Sequence, residues 1–486
     1  MSASAPEAVK TLRPALGLAV VCFGTLAAPL DSAVNIAMPS ITRAFDIEIA
    51  DIRWVVIAYV LTYSSLLLIF GKLGDLFGYR RIFQAGLLVS AAGFAACGLA
   101  PSFGLLLAGR SLQGIGIALT LSCAPALATT LYDESQRTRV LGIYAACTAA
   151  GAALGPIAGG LLVDRFGWSA VFFGRVPLAL VALALTLCLP ALPSGQPKQS
   201  AARLDILGAM LLVAWLAALL LGFAASASST EPHLPPHLPM GLAVLALITI
   251  DLFVAHERRH PEPIIRPSLF RNIDFAVMNL LSIAVNFAAF SIMLLVPYYL
   301  ARTRGLDAVS GGVVLALANI GTVGGSWLAG RLASGIAVGR LALAGIALSV
   351  AGLAGIALCA REASLLPVAL ALLVQGVGVG LFHVAYADLV IAGLPIGERG
   401  VAGSLSMVTR TMGVVAGATA HAAVQRQGEA LAAAFGVPPE GRFLFGFEDA
   451  FWVAALTVLL ALVLGLTRPG LWWRLRAPIA EKGQRT

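Results

Sequence analysis

Residues 14–38 read PALGLAVVCFGTLAAPLDSAVNIAM, and this stretch decides the fold class. It is apolar throughout except for one charge, Asp31. A helix rises about 1.5 Å per residue, so the run covers a bilayer core of about 30 Å. An ionised carboxylate at that depth costs about 3 kcal/mol or more, so it is paired, protonated or turned toward a wet cavity. In a continuous helix Asn35 falls one turn beyond Asp31 and shares its face. Two readings of that face stay open: a polar contact that fastens two helices, or a protonation site in a transport path.

The rest of the 486-residue chain extends the pattern. It is 59% hydrophobic and 12% charged, about half the charged share of a soluble domain, and its mean hydropathy is +0.91. A soluble enzyme with an anchor is excluded. Fourteen apolar runs are each long enough to span: approximately 14–38, 54–71, 82–100, 103–125, 140–163, 170–190, 205–226, 239–255, 274–299, 310–330, 340–359, 365–391, 401–424 and 449–467. They are too long, and alternate too little, for barrel strands. The first is also too long for the apolar region of a cleavable signal peptide. The six cysteines lie within or at the ends of apolar runs and offer neither a disulfide framework nor a metal spacing.

Lys and Arg gather in GKLGDLFGYRR, YDESQRTR, HERRHPEPIIRPSLFR and RPGLWWRLR, all on one side of the runs. The positive-inside rule then puts both termini in the cytoplasm of a multi-pass protein of the plasma (inner) membrane. The runs group as six, two and six. Residues 1–190 form the first six-helix bundle, 191–204 a cytoplasmic linker, and 205–255 an inserted transmembrane pair. Residues 256–273 form a second cytoplasmic linker, 274–467 the second six-helix bundle, and 468–486 a cytoplasmic tail. Trp472, Trp473, Arg474 and Arg476 suit an interfacial anchor. The longest outer connection is 424–448, with room for a short surface helix.

The loop after the second run carries Gly71, Leu73, Asp75, Gly78, Arg80 and Arg81. Glycine permits turns and close backbone approach, Asp75 either accepts from nearby arginines or sits at a helix N-terminus, and the arginines anchor the inner face. This spacing resembles the signature loop between the second and third helices of major facilitator transporters, where the resemblance implies a conformational latch. The matching loop of the second half keeps Gly330, Leu332, Gly339 and Arg340 but has Ser334 in place of the acid.

In the fourth run, GRSLQGIGIAL places Arg110, Gln113 and Gly114 on one face. By residue count Arg110 and Asp31 both lie about 6–8 Å to the outer side of the midplane, which makes them partners in depth. The pair is either a site that loads and releases a proton or a permanent buried ion pair. The fourth-run pattern resembles the family's motif, whose arginine the resemblance links to proton transfer.

The fifth run, ACTAAGAALGPIAGGLLVD, repeats Gly151, Gly155 and Gly159 every four residues beside Pro156 and Gly160. Physically it is a surface for close helix packing with a local loosening at the proline. It also looks like the antiporter motif of exporters in the superfamily, and it is the best sign of transport direction. Together with LDSAVNIAMP at 30–39, these motifs make the chain similar to the fourteen-helix EmrB/QacA-type drug:proton antiporters.

That resemblance implies an all-α polytopic membrane protein with the major facilitator fold: two six-helix bundles plus two inserted helices, fourteen transmembrane helices in all. It implies a proton-coupled exporter of amphipathic small molecules or drugs, working by alternating access, and no enzyme. No cofactor is expected besides protons as the coupling ion. The expected partners are a small-molecule substrate, the lipid bilayer and, as an option, a periplasmic adaptor protein, with no nucleic acid. An exporter dedicated to one metabolite or lipid fits the same residues. A membrane sensor does not, because no loop exceeds about 25 residues. An intramembrane enzyme is not expected either, the reading being that the chain has no H-E-x-x-H run, phosphate loop or nucleophile elbow.

The sixth run departs from the family, with Arg175 where it commonly has Asn before a Val-Pro pair. Arg175 either binds an anion, pairs with a carboxylate such as Asp31, or snorkels outward. The candidate substrate cavity comprises Asn35, Gln113, Arg175, Asn286 and Arg410. Asn286 shares a face with Asn279, and Arg410 lies near the centre of the thirteenth run. Three arginines against one well-centred carboxylate favour neutral, zwitterionic or anionic amphipaths over dications. His383, Asp388, His421 and Asp251 are expected to be structural or interfacial. His233/His237 and His256/His260 have HxxxH spacing, but in loops without further ligands, so no metal site is expected.

Overall fold

Pro29 shapes the first span. It has no N–H to give to the carbonyl of Thr25, so the helix cannot continue unchanged. In the computed structural model, which describes residues 7–130, 132–133, 136–188, 205–227, 237–260, 267–333, 335–392 and 401–473, the first span is therefore broken. Helix α1 (Glu7–Thr25) ends, a 3₁₀ turn occupies Pro29–Ser32, and α2 (Ala33–Phe45) resumes. The Thr25 hydroxyl folds back onto the carbonyls of Val21 and Cys22, both at 2.9 Å. The expected single helix over 14–38 is thus corrected: Asp31 sits in the tightened turn, and Asn35 belongs to the next helix.

Long helices follow: α3 (Arg53–Phe77), α4 (Tyr79–Gly98), α5 (Phe103–Thr129) and α6 (Arg137–Phe166). Gly78 links α3 to α4 at φ 90°, a conformation that favours glycine. Ser102 caps α5, its hydroxyl accepting from Leu105 N. The sixth span is split into α7 (Ala170–Phe173) and α8 (Arg175–Cys188). The inserted pair is α9 (Ile206–Ala227) and α10 (Leu238–Glu257). Then come α11 (Ile273–Tyr298), closed by a π turn at Tyr299–Thr303, α12 (Ala308–Leu332), α13 (Val338–Cys359) and α14 (Leu366–Ala392). The last are α15 (Val401–Ala434), α16 (Pro439–Leu466) and α17 (Pro469–Trp473).

Eleven spans among the described residues are long and apolar enough to cross a membrane, and Arg53–Leu67 and Met210–Leu219 are shorter apolar stretches. The expected long outer connection over 424–448 is corrected. Helix α15 runs on to Ala434, because HAAVQRQGEALAAA is rich in strong helix formers although its charges end the apolar run. Trp472 is not an interfacial anchor. It is 1% exposed, and its indole N–H donates to Gly465 O at 3.0 Å. Trp473 is exposed and carries Arg340 over its ring, whereas Arg474 and Arg476 lie outside the described residues.

The chain divides into two compact units. One comprises 1–267, 290–316 and 414–447, the other 268–289, 317–413 and 448–486. In the first, α5 packs closely on α3 and α4, and α6 lies against α2 and the Pro29 turn. In the second, α13 packs closely on α14.

Candidate functional site

The site grows from how closely α5 can approach its neighbours. A Cβ on Gly114 would lie 2.9 Å from Tyr59 O and 2.8 Å from the Thr62 side chain, so only glycine lets α3 come this near. The approach brings the carbonyl of Val55 within 2.9 Å of Arg110 Nε. With that nitrogen fixed, the guanidinium presents its other two nitrogens to Asp31 as a fork. Nη1 meets Oδ1 at 2.7 Å and Nη2 meets Oδ2 at 2.8 Å. Such two-pronged, charge-assisted bonds fix geometry as well as energy.

Gln113, one turn along α5, completes the arrangement. Its Oε1 accepts from Arg110 Nη1 at 2.8 Å, and its Nε2 donates to Asp31 Oδ1 at 2.9 Å. Arg175 opens α8 and reaches the same carboxylate, Nη1 to Oδ1 at 2.6 Å, while its Nε donates to Val171 O at 3.1 Å. Arg175 therefore pairs with Asp31 rather than snorkelling outward. Its Nη2 is buried and makes no hydrogen bond among the described residues.

Aromatic faces wall the cluster. The Arg110 guanidinium lies 4.3 Å from the Tyr59 ring centroid, and that of Arg175 lies 4.6 Å from Phe94 and 5.4 Å from Phe172. Their electron-rich faces attract cations out of water. These rings were missed in the sequence; three aromatics among many carry no signal until the arginines are placed. One carboxylate against two guanidiniums leaves a formal charge of +1. The Arg110 side chain is 0% exposed, that of Arg175 4% and that of Asp31 14%, so the carboxylate is the member with an opening.

The fifth-span glycines meet this same turn. A Cβ on Gly151 would lie 2.8 Å from the Pro29 ring, one on Gly155 would collide with Ser32 Oγ, and one on Gly159 would lie 2.8 Å from Ala33. Ser32 Oγ also donates to Ala152 O at 3.1 Å. The stripe is thus seated on the turn that holds Asp31. The motif's other face points elsewhere: a Cβ on Gly160 would strike Ala308 O, and Pro156 O fills the space beside Gly312. Asp164, the last residue of the motif, accepts from Ala308 N at 3.0 Å and Val309 N at 2.9 Å, capping α12.

In the signature loop, Arg80 Nη2 donates to Thr186 O at 2.7 Å, satisfying the C-terminal end of α8. Arg81 is exposed, and Gly71 meets only Ser122 Cβ, at 3.9 Å. Asp75 falls in the last turn of α3 and not at a helix N-terminus, which corrects that expectation; its side chain and the whole of Ser334 lie outside the described residues.

The remaining cavity candidates separate. Asn35 is buried on α2 and is not among the hydrogen-bond partners of Asp31. Asn286 is buried and donates to Ser282 O, on its own helix, at 2.8 Å. Arg410 is exposed on α15, with His383 of α14 within range of its charge. The same unit holds a polar group around Asn279, whose other members the sequence did not single out. Tyr386 Oη donates to Asn279 Oδ1 at 3.0 Å and lies 3.3 Å from Thr409 Oγ1, which in turn lies 3.1 Å from Ser282 Oγ.

The family model of the Major Facilitator Superfamily matches residues 20–418. The chain belongs to that superfamily. Among curated relatives, a riboflavin transporter of Clostridioides difficile is 24% identical, with 92% of this chain and 96% of that protein covered. A methylenomycin A resistance protein of Bacillus subtilis is 33% identical over 67% of this chain and 68% of its own length. Among solved structures, a D-xylose-proton symporter is similar in fold, with a TM-score of 0.63, 15% identity, and 92% of this chain and 96% of that one covered. This superfamily member is a multi-pass membrane transporter with a small-molecule substrate, not an enzyme.

Proposed function

We propose that this transporter is a proton-coupled exporter of amphipathic small molecules, with fourteen spans and both termini in the cytoplasm of the plasma membrane. The observation that carries the reading is the seating of Gly151, Gly155 and Gly159 on the turn of Asp31. The resemblance to exporters rests on that stripe and the expected proton carrier is that residue, so direction and coupling meet at one helix contact. The resistance protein of Bacillus subtilis supports export.

Asp31 is the proton carrier in this reading. When charged, it holds Arg110, Gln113 and Arg175 together. A proton removes its charge and with it the attraction to both guanidiniums, releasing α5 and α8 from the turn. Proton and substrate then favour different states of an alternating-access cycle. Arg110 and Arg175 are both engaged by Asp31, which leaves Arg410 as the exposed cation for an anionic or zwitterionic substrate.

A second reading, an exporter dedicated to one metabolite, is favoured by the riboflavin transporter, a relative matched over 92% of this chain and 96% of its own length. A deletion strain tests both, screened against dyes and antibiotics alongside metabolite profiling. Broad sensitisation supports the first reading, accumulation of one metabolite the second. Proton-driven uptake into whole cells would contradict export.

A further inference from the structure

The inserted pair carries a second cluster, remote in sequence from Asp31. Asp205 immediately precedes α9, and His256 and His260 lie at the end of α10 and just beyond it. The backbone keeps a helical turn there, His260 N donating to His256 O at 3.0 Å, so both imidazoles emerge on one face. The two helices run as a hairpin, and the start of α9 meets the end of α10. The ligand atoms of Asp205, His256 and His260 all lie within 4.8 Å of one another. The loop placement that spoke against a metal is thereby corrected, and a third ligand is supplied from 51 residues away. The expectation that the chain has no H-E-x-x-H run is corrected too: residues 256–260 read H-E-R-R-H, the spacing of zinc-binding helices.

We infer that Asp205, His256 and His260 form a binding site for a borderline divalent metal ion of the zinc, cobalt and nickel class. Asp205 Oδ1 is held by Gly208 N at 2.8 Å and lies 2.6 Å from His256 Nε2. Its Oδ2 is buried, accepts no hydrogen bond among the described residues, and lies 3.8 Å from His260 Nδ1. That leaves an orphaned carboxylate oxygen aimed at a second imidazole. A tetrahedral ion bound at about 2.0–2.2 Å needs ligand atoms about 3.3 Å apart, so the three groups need shifts of only about 1 Å.

Two imidazoles select against magnesium and calcium, which take oxygen ligands. The Gly208 amide orients the carboxylate as an outer-shell partner would. The Glu257 carboxylate is buried and crowds the same point above Gly208 as Asp205 Oδ2, and a divalent cation neutralises two acids placed so close. Glu257 faces α9 rather than an open cleft, so the spacing serves binding and not hydrolysis. The His256 and His260 side chains are 24% and 16% exposed, which leaves the ion a way in. Bound there, the ion clasps the open ends of the hairpin.

The test uses full-length protein in detergent, freed of any polyhistidine tag and stripped with chelator. It is titrated with Zn²⁺ by calorimetry, with Co²⁺ absorption as a coordination signature. One ion per chain is expected, with a tetrahedral Co²⁺ spectrum and a raised melting midpoint. Asp205→Asn and the double variant His256→Gln/His260→Gln should each weaken binding at least tenfold, while His233→Gln/His237→Gln should not. If Asp205→Asn loses its fold with the helix cap, the double histidine variant decides alone. No stoichiometric ion, or a double variant that binds like the parent, overturns the site and leaves only an Asp–His clasp. None of these outcomes depends on transport, so the assignment stands or falls apart from the export reading.

Discussion

The pair α4–α5 and the pair α13–α14 are built on one plan and differ in one charge. On α4, Gly86, Ser90 and Gly93 face Gln113 and Gly116 of α5; a Cβ on Gly93 would lie 2.6 Å from Gln113 N. On α13, Gly345, Ser349 and Gly352 face Gln375 and Gly378 of α14 at the same spacing; a Cβ on Gly352 would lie 2.6 Å from Gln375 N. Three residues before the glutamine stands Arg110 in the first pair and Leu372 in the second, both fully buried. Gln113 spends its amide on Arg110 and Asp31, whereas Gln375 Nε2 is buried without a hydrogen bond among the described residues. A seam of small residues therefore packs α13 on α14 with a leucine where the first pair has its arginine. The Asp31–Arg110–Arg175 cluster is not needed for that seam, and the cost of burying it needs another reason, which is the role of the proton coupling proposed above.

Arg110→Leu makes the first pair copy the second. It should remove uphill transport almost entirely, by a hundredfold or more in efflux rate, while the protein still folds. Asp31 and Arg175 remain as a neutral pair, but Asp31 Oδ2, Gln113 Oε1 and Val55 O each lose a donor, so the variant should lose about 1–3 kcal/mol. Asp31→Asn instead leaves two guanidiniums buried against a neutral amide. It should also abolish uphill efflux, but lose about 3–5 kcal/mol of stability as a broken buried pair does. If Arg110→Leu proved the less stable of the two, the charge accounting would be wrong.

The partnership of Asp31 and Arg110 was legible from residue counts, because depth in a regular helix is arithmetic. The break at Pro29 was not, since hydropathy reads a broken helix and a straight one alike. Arg175 could not be settled either. Snorkelling and pairing differ by a rotamer, and the choice depends on a carboxylate 144 residues away. The glycine stripe announced close packing but not its mate, because any helix with a small face would serve. The H-E-R-R-H run was readable, yet its third ligand comes from the far end of a hairpin. The extension of α15 was hidden because charge ends a membrane span without ending a helix.

Smaller effects sharpen the comparison. Gly93→Val and Gly352→Val should each cost about 1–3 kcal/mol, because both seams are closed to a side chain, and melting curves of the two should agree. Gln113→Leu should cost about 1–3 kcal/mol by leaving Asp31 one donor short, whereas Gln375→Leu should be neutral or stabilising. Equal losses for the two glutamine variants would show that the second seam has a polar partner of its own.

Substrate-induced proton release from purified protein in weakly buffered detergent tests the central claim most directly. The parent should release protons when substrate is added, and Asp31→Asn should release none while still exchanging substrate down its gradient. Proton release and uphill efflux by Asp31→Asn would contradict the account and place the proton carrier on another residue, with Asp388 the first to examine.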